Sequence, residues 1–151
     1  MTIAAGDRIP EFTLLDSQRN QLSSDSLHGQ KTLIMFFPFA FSGTCTGEIC
    51  ELRDNHERLA GADAKVVAIT CDPLPANAAW AEHNEFTYPV LSDFWPHGAV
   101  SKAFGVFNEK VGVANRVSFL VDADGVVTDV FASDSMGEAR DFEAQVGALI
   151  S

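Results

Sequence analysis

The stretch Thr32-Leu33-Ile34-Met35-Phe36-Phe37-Pro38-Phe39-Ala40-Phe41-Ser42-Gly43-Thr44-Cys45 decides the fold. Its first six residues are almost wholly apolar and are bounded by Lys31 and Pro38. That pattern reads as a buried central strand over 32–37. Residues 38–44 are punctuated by Pro, Ser and Gly and read as a loop. Apolar residues then recur at helical spacing, so the spacing predicts a helix over 45–59 that begins at Cys45.

Working outward, residues 12–15 form a short strand candidate and 66–70 a second buried strand, ended by Asp72, Pro73 and Pro75. Residues 76–84 read as a helix, 88–91 as a short strand and 97–104 as a helix ending near Gly105. Residues 117–121 and 126–131 flank Asp124-Gly125, a strong hairpin turn. A closing helix spans 138–150. Strands alternating with helices, followed by an antiparallel hairpin, predict an α/β sandwich: a central mixed sheet flanked by helices, in a thioredoxin-like order. There is no internal repeat, low-complexity tract or linker, so residues 1–151 read as one domain.

Composition narrows the function. The chain has 151 residues, enough to bury a core without disulfide staples. Its net charge of −11 disfavours nucleic acid and anionic membranes as partners. No apolar run approaches a membrane span, and residues 1–7 lack a secretion signal. The expected compartment is the cytoplasm, where thiols stay reduced. The three cysteines do not form a disulfide framework, and the four histidines are too scattered for a zinc site.

On a wheel of about 100° per residue, Cys45, Ile49, Leu52, His56 and Leu59 share one stripe. Cys50, Asp54 and Glu57 lie opposite, with Glu48 and Glu51 to one side. Cys45 therefore occupies the first turn of the helix and faces the protein. A free cysteine there can be a small core residue. It can also be a nucleophile, because the unpaired N–H groups and the positive end of the helix favour a thiolate. Ser42 is either a plain N-cap or a hydroxyl that donates to the sulfur. Cys50 sits about 140° from Cys45 among polar residues, more like an accessible thiol than a core one. Cys71 reads as a buried structural thiol, with a backup resolving thiol as the alternative, and His56 as a hydrogen-bonded core histidine. Phe94 and Trp95 read as core or subunit-contact residues.

These residues carry a family resemblance. Pro38 to Cys45 resembles the peroxiredoxin signature Pro-x-x-x-Thr/Ser-x-x-Cys, and Glu48 also matches. The segment Leu91-Ser92-Asp93-Phe94-Trp95-Pro96-His97-Gly98-Ala99-Val100, with Gly105-Val106-Phe107-Asn108-Glu109, resembles the alkyl hydroperoxide reductase E-type peroxiredoxins of actinobacteria. So does Ala114-Asn115-Arg116, whose Arg matches that family's catalytic arginine. The resemblance implies a thiol-dependent peroxidase with Cys45 as the peroxidatic residue and Glu48 in support. Pro38 would shield the site from water, and Ser42 and Arg116 would bind the peroxide oxygens. The backbone N–H of Cys45 would assist Arg116 in stabilising the leaving oxygen. No metal, flavin or nicotinamide is implied. Cys50 departs from the E type and resembles the resolving cysteine of the bacterioferritin-comigratory (Q-type) peroxiredoxins. The resemblance also implies hydroperoxide substrates, a homodimer, and thioredoxin or mycoredoxin/mycothiol as reductant. A redox-sensing interaction protein remains an alternative. A thiol–disulfide oxidoreductase on the same fold is disfavoured by the lack of a Cys-x-x-Cys pair.

Overall fold

A computed structural model describes residues 2–151. Strand β3 (Thr32–Phe36) is buried along its whole length. It pairs in parallel with β4 (Lys65–Thr70), which pairs in parallel with β5 (Val90–Ser92). On its other side β3 runs antiparallel to β8 (Val117–Val121), and β8 to β9 (Val127–Ala132). The far edge is a hairpin of β1 (Thr13–Leu15) and β2 (Gln21–Ser23), with β1 against β5. The seven-stranded order is β2-β1-β5-β4-β3-β8-β9, the mixed sheet that the sequence predicts.

Alternation along β3 builds two cores. Ile34 and Phe36 point to one face and meet Val67, Ile69, Phe104 and Phe119. Leu33 and Met35 point to the other and, with Phe37, pack against Cys45, Ile49, Leu52, Trp80, Val146 and Leu149. That second core lies beneath α1 (Gly43–Asp54), α3 (Leu74–His83) and α5 (Phe142–Ile150). The first face carries the short helix α4 (Ala99–Ala103). A small hairpin, β6 (Phe107–Asn108) and β7 (Val113–Ala114), leads from α4 to β8.

Several boundaries differ from expectation for local reasons. The helix expected over 45–59 breaks at Asn55 into α1 and α2 (His56–Ala60), because Asn55 leaves helical geometry and its side chain donates back to the Glu51 carbonyl. The break turns His56 off the buried stripe, so it is an exposed partner of the Tyr88 hydroxyl rather than a core histidine. Helix α3 begins two residues before the expected start, with Pro73 as its N-cap and Pro75 in its first turn. Proline is tolerated there because those N–H groups have no partner within the helix. Helix α5 begins at Phe142 instead of residue 138, capped by the Asp141 carboxylate on the Ala144 N–H. The polar strand β2 and the two-residue β6 and β7 carry too little hydrophobic alternation to be seen in sequence. Phe94 and Trp95 are 46% and 81% exposed, so neither is a core residue.

Candidate active site

The loop between β3 and α1 sets the site. Pro38 closes the strand and is buried. The Asp72 carboxylate accepts from the Ala40 N–H at 2.8 Å and ties the loop to the end of β4. Phe41 takes a positive φ of 68°, costly for an aromatic residue, and turns the chain into the helix. Ser42 is the N-cap of α1, and its Oγ accepts from the Cys45 N–H at 3.1 Å. Its hydroxyl keeps its own proton to donate. The Cys45 N–H, expected to assist with the leaving oxygen, is bonded to Ser42 Oγ in this structure. The Thr46 N–H bonds the Ser42 carbonyl.

Cys45 is fully buried in the first turn of α1. Arg116, between β7 and β8, brings its Nη1 to 3.3 Å from Cys45 Sγ. The same Nη1 bonds Glu48 Oε1, while Nε and Nη2 donate to the Met136 carbonyl at 3.2 and 2.8 Å. The guanidinium is thus fixed on three sides with one N–H aimed at the sulfur. That N–H is the donor nearest the point where charge changes hands when the sulfur reacts.

Glu48 lies one helical turn beyond Cys45, on the same side of α1, and joins two arginines. Arg140 grips it from the opposite side through Nε to Oε2 and Nη2 to Oε1, both at 2.9 Å, and through its backbone N–H at 3.0 Å. Arg140 Nη1 also reaches the Phe36 carbonyl and Ser118 Oγ, and its guanidinium lies 4.6 Å over the Phe37 ring. Glu48, Arg116 and Arg140 are all buried. Burial opposes the Glu48 charge, but the hydrogen bonds and charge of Arg140, then Arg116, outweigh it and hold the carboxyl below its ordinary value. Burial in turn lowers the Arg140 value, against the pull of Glu48. Sequence reasoning found Arg116 and Glu48 but missed Arg140. Its signal is a lone arginine before the last helix, with nothing local to distinguish it from a surface charge.

The depressed Glu48 value has a defined consequence. Unfolded, the carboxyl protonates near 4.5; folded, it protonates lower. The unfolded state therefore binds the extra proton first as pH falls. The contribution of Glu48 to stability is expected to be complete above pH 4.5 and to disappear as pH drops through the lower folded value. Denaturant unfolding of wild type and Glu48→Gln across that range checks this. The variant should lose that share of the acid slope, and an unchanged slope would refute the assignment.

Cys50 and Cys71 occupy different surroundings. Cys71 is buried at the end of β4, 3.6 Å from Ser101 Oγ, and burial pushes its thiol up to about 11. It stays protonated at neutral pH, as a structural thiol does. Cys50 is half-exposed, on the far side of α1 from Cys45, with its Sγ 3.7 Å from Asn84 Oδ1. Both Cys45 and Cys50 lie within the intact α1, and all three sulfurs are free. Among the described residues, no three His, Cys, Asp or Glu side chains converge to hold a metal ion. No helix among them is long and apolar enough to cross a membrane.

Residues 5–130 match the model of the AhpC/TSA family. The chain is 44% identical over 146 residues to alkyl hydroperoxide reductase E of Mycobacterium tuberculosis, covering 95% of this chain and 94% of that protein. It is 35% identical over 135 residues to peroxiredoxin Bcp of Escherichia coli, covering 85% of each. The crystal structure of peroxidoxin BcpB from Mycobacterium tuberculosis superposes with a TM-score of 0.86 at 31% identity, over 98% of this chain and 96% of that one.

Proposed function

The chain belongs to the AhpC/TSA family and is a thiol-dependent peroxidase on a thioredoxin-like fold, and within that activity we propose that Cys45 is the attacking sulfur and Cys50 its resolving partner. The observation that carries the assignment is Arg116 Nη1 at 3.3 Å from Cys45 Sγ, held there by Glu48 and the Met136 carbonyl.

The Cys45 thiolate attacks the terminal oxygen of a hydroperoxide. A sulfur–oxygen bond forms as the O–O bond breaks. The departing oxygen takes a proton and leaves as alcohol, or as water from hydrogen peroxide. Negative charge moves from sulfur to that oxygen, and Arg116 lies close enough to stabilise both ends. Ser42 donates its hydroxyl proton to the bound peroxide. Pro38 and the buried setting of Cys45 keep bulk water from competing, which strengthens each of these interactions. Glu48 and Arg140 act through Arg116 as positioning residues.

The product is Cys45 sulfenic acid, which condenses with a thiol. Cys50 is the more accessible candidate, since Cys71 is buried and protonated. Residues five apart on a regular helix have Cα atoms roughly 8–9 Å apart and side chains diverging by about 140°. A disulfide needs Cα atoms within about 7 Å, so α1 must unwind between Cys45 and Cys50 before they can bond. Gly47 assists, because glycine weakens a helix by about 1 kcal/mol relative to alanine. The unwound disulfide would be reopened by thioredoxin or by mycoredoxin with mycothiol, in the reducing cytoplasm. The exposed Phe94 and Trp95 suit the contact of a homodimer.

One equivalent of hydrogen peroxide followed by disulfide mapping and hydrogen exchange tests this scheme. A Cys45–Cys50 bond with faster exchange over residues 45–50 is expected. A Cys45–Cys71 bond, a bond between subunits, or a sulfenic acid that only an external thiol removes would overturn the role of Cys50.

A further inference from the structure

Helix α1 is held to α3 by hydrogen bonds at the segment that must unwind. The Trp80 indole Nε1 donates to Thr46 Oγ1 at 3.1 Å, one residue beyond Cys45. Trp80 is fully buried. One turn further along α1, Cys50 Sγ meets Asn84 Oδ1 at 3.7 Å. Asn84 is itself immobilised: its Nδ2 donates to the Trp80 carbonyl at 2.9 Å, and its own carbonyl accepts from Arg53 Nη1 at 2.9 Å. Asn84 is the C-cap of α3, so these contacts tie the reactive half of α1 to one end of a neighbouring helix.

We propose that Asn84 and Trp80 are positioning residues for resolution: they hold Cys50 away from the active site and set the rate at which α1 opens to form the disulfide. The proposal rests on Cys50 being the resolving cysteine. In the docked helix the Cys50 S–H can donate only to a carboxamide oxygen. That contact holds the sulfur on the far side of α1, out of disulfide reach of Cys45 while the helix is intact. Unwinding costs the Cys50–Asn84 contact and strips the buried Trp80 N–H of its acceptor, the more expensive loss of the two. Once free, the Cys50 sulfur attacks the Cys45 sulfenic sulfur. A sulfur–sulfur bond forms, the sulfur–oxygen bond breaks, and the Cys50 proton leaves with that oxygen as water. Sulfenic acid that waits too long for this step is open to a second peroxide and to sulfinic acid. The α3 contacts therefore also set how much peroxide the enzyme survives.

Rapid mixing separates the two steps. Sulfenic acid formation is proportional to peroxide concentration, whereas disulfide closure is independent of it. Both are followed by quenching and mass spectrometry on the full-length protein. Asn84→Ala is expected to speed closure roughly three- to tenfold, the share of one lost hydrogen bond, and to leave sulfenic acid formation unchanged. It should also lower the sulfinic acid formed at high peroxide. Thr46→Val removes the Trp80 acceptor without touching the end of α3 and should act in the same direction, which covers the case of Asn84→Ala folding poorly. A general loss of packing would slow or scatter both steps rather than speed one. Closure unchanged or slowed in the folded variants, with Cys45–Cys50 still mapped in wild type, overturns the role of the α3 contacts alone. Failure to find Cys45–Cys50 in wild type overturns the assignment of Cys50 and the latch with it.

Discussion

Cys45→Ser is expected to consume no peroxide above the uncatalysed background while keeping its fold. The peroxidase reaction needs a soft, ionisable nucleophile, and a serine hydroxyl without an adjacent general base is not one. The carboxylate beside the site, Glu48, is engaged by Arg116 and Arg140, and the other near neighbours are the Arg116 guanidinium, the Ser42 hydroxyl and the packed side chains of the second core. The fold should survive because the change is nearly isosteric. The new hydroxyl can also accept from Arg116 Nη1, so its polarity is not buried without a partner. Peroxide loss with a thiol reductant in excess, beside circular dichroism, measures both halves. Turnover comparable to wild type would show that the chemistry lies at another sulfur, and Cys50 would be next to test.

Arg116→Met should slow sulfenic acid formation by roughly two or more orders of magnitude, the size of a lost transition-state donor. The substitution keeps volume but removes the N–H aimed at Sγ and the positive charge beside it. It should not collapse the buried charge cluster. Glu48 keeps three hydrogen bonds from Arg140, and only the Met136 carbonyl loses its donors outright. Arg116→Lys separates charge from geometry. A lysine has one compact head and cannot reach Sγ, Glu48 and the Met136 carbonyl together as the planar guanidinium does. It should recover only part of the rate. A second-order rate constant with hydrogen peroxide that hardly changes in Arg116→Met would reduce Arg116 to a structural ion.

By itself, the sequence determined the parts that local chemistry encodes. The run from Thr32 to Phe37 is too apolar to lie anywhere but inside a sheet, and it is the central strand β3, extended by the buried Phe37. Asp124-Gly125 marks a hairpin, and β8 and β9 flank it. Cys45 and Glu48 belong together because helical spacing sets them one turn apart, and the loop ahead of them supplies the N-cap at Ser42. The family resemblance marks Arg116, but only the tertiary structure decided what it touches and brought Arg140 to the same site. Arg116 reaches Cys45 across 71 positions of chain, and Arg140 reaches Glu48 across 92. Each is a single charged residue with no period or spacing to mark it, and it is buried because the β3–β8 pairing and the docking of α5 carry it to a carboxylate. His56 shows the reverse error: helical periodicity places it inside, and a side-chain hydrogen bond at Asn55 turns it out. The α3 contacts of Cys50 are equally invisible in sequence, because they depend on how two helices cross. Periodicity reports which face of an element avoids water. Which opposite charge waits on the facing element is set by the packing of the whole chain.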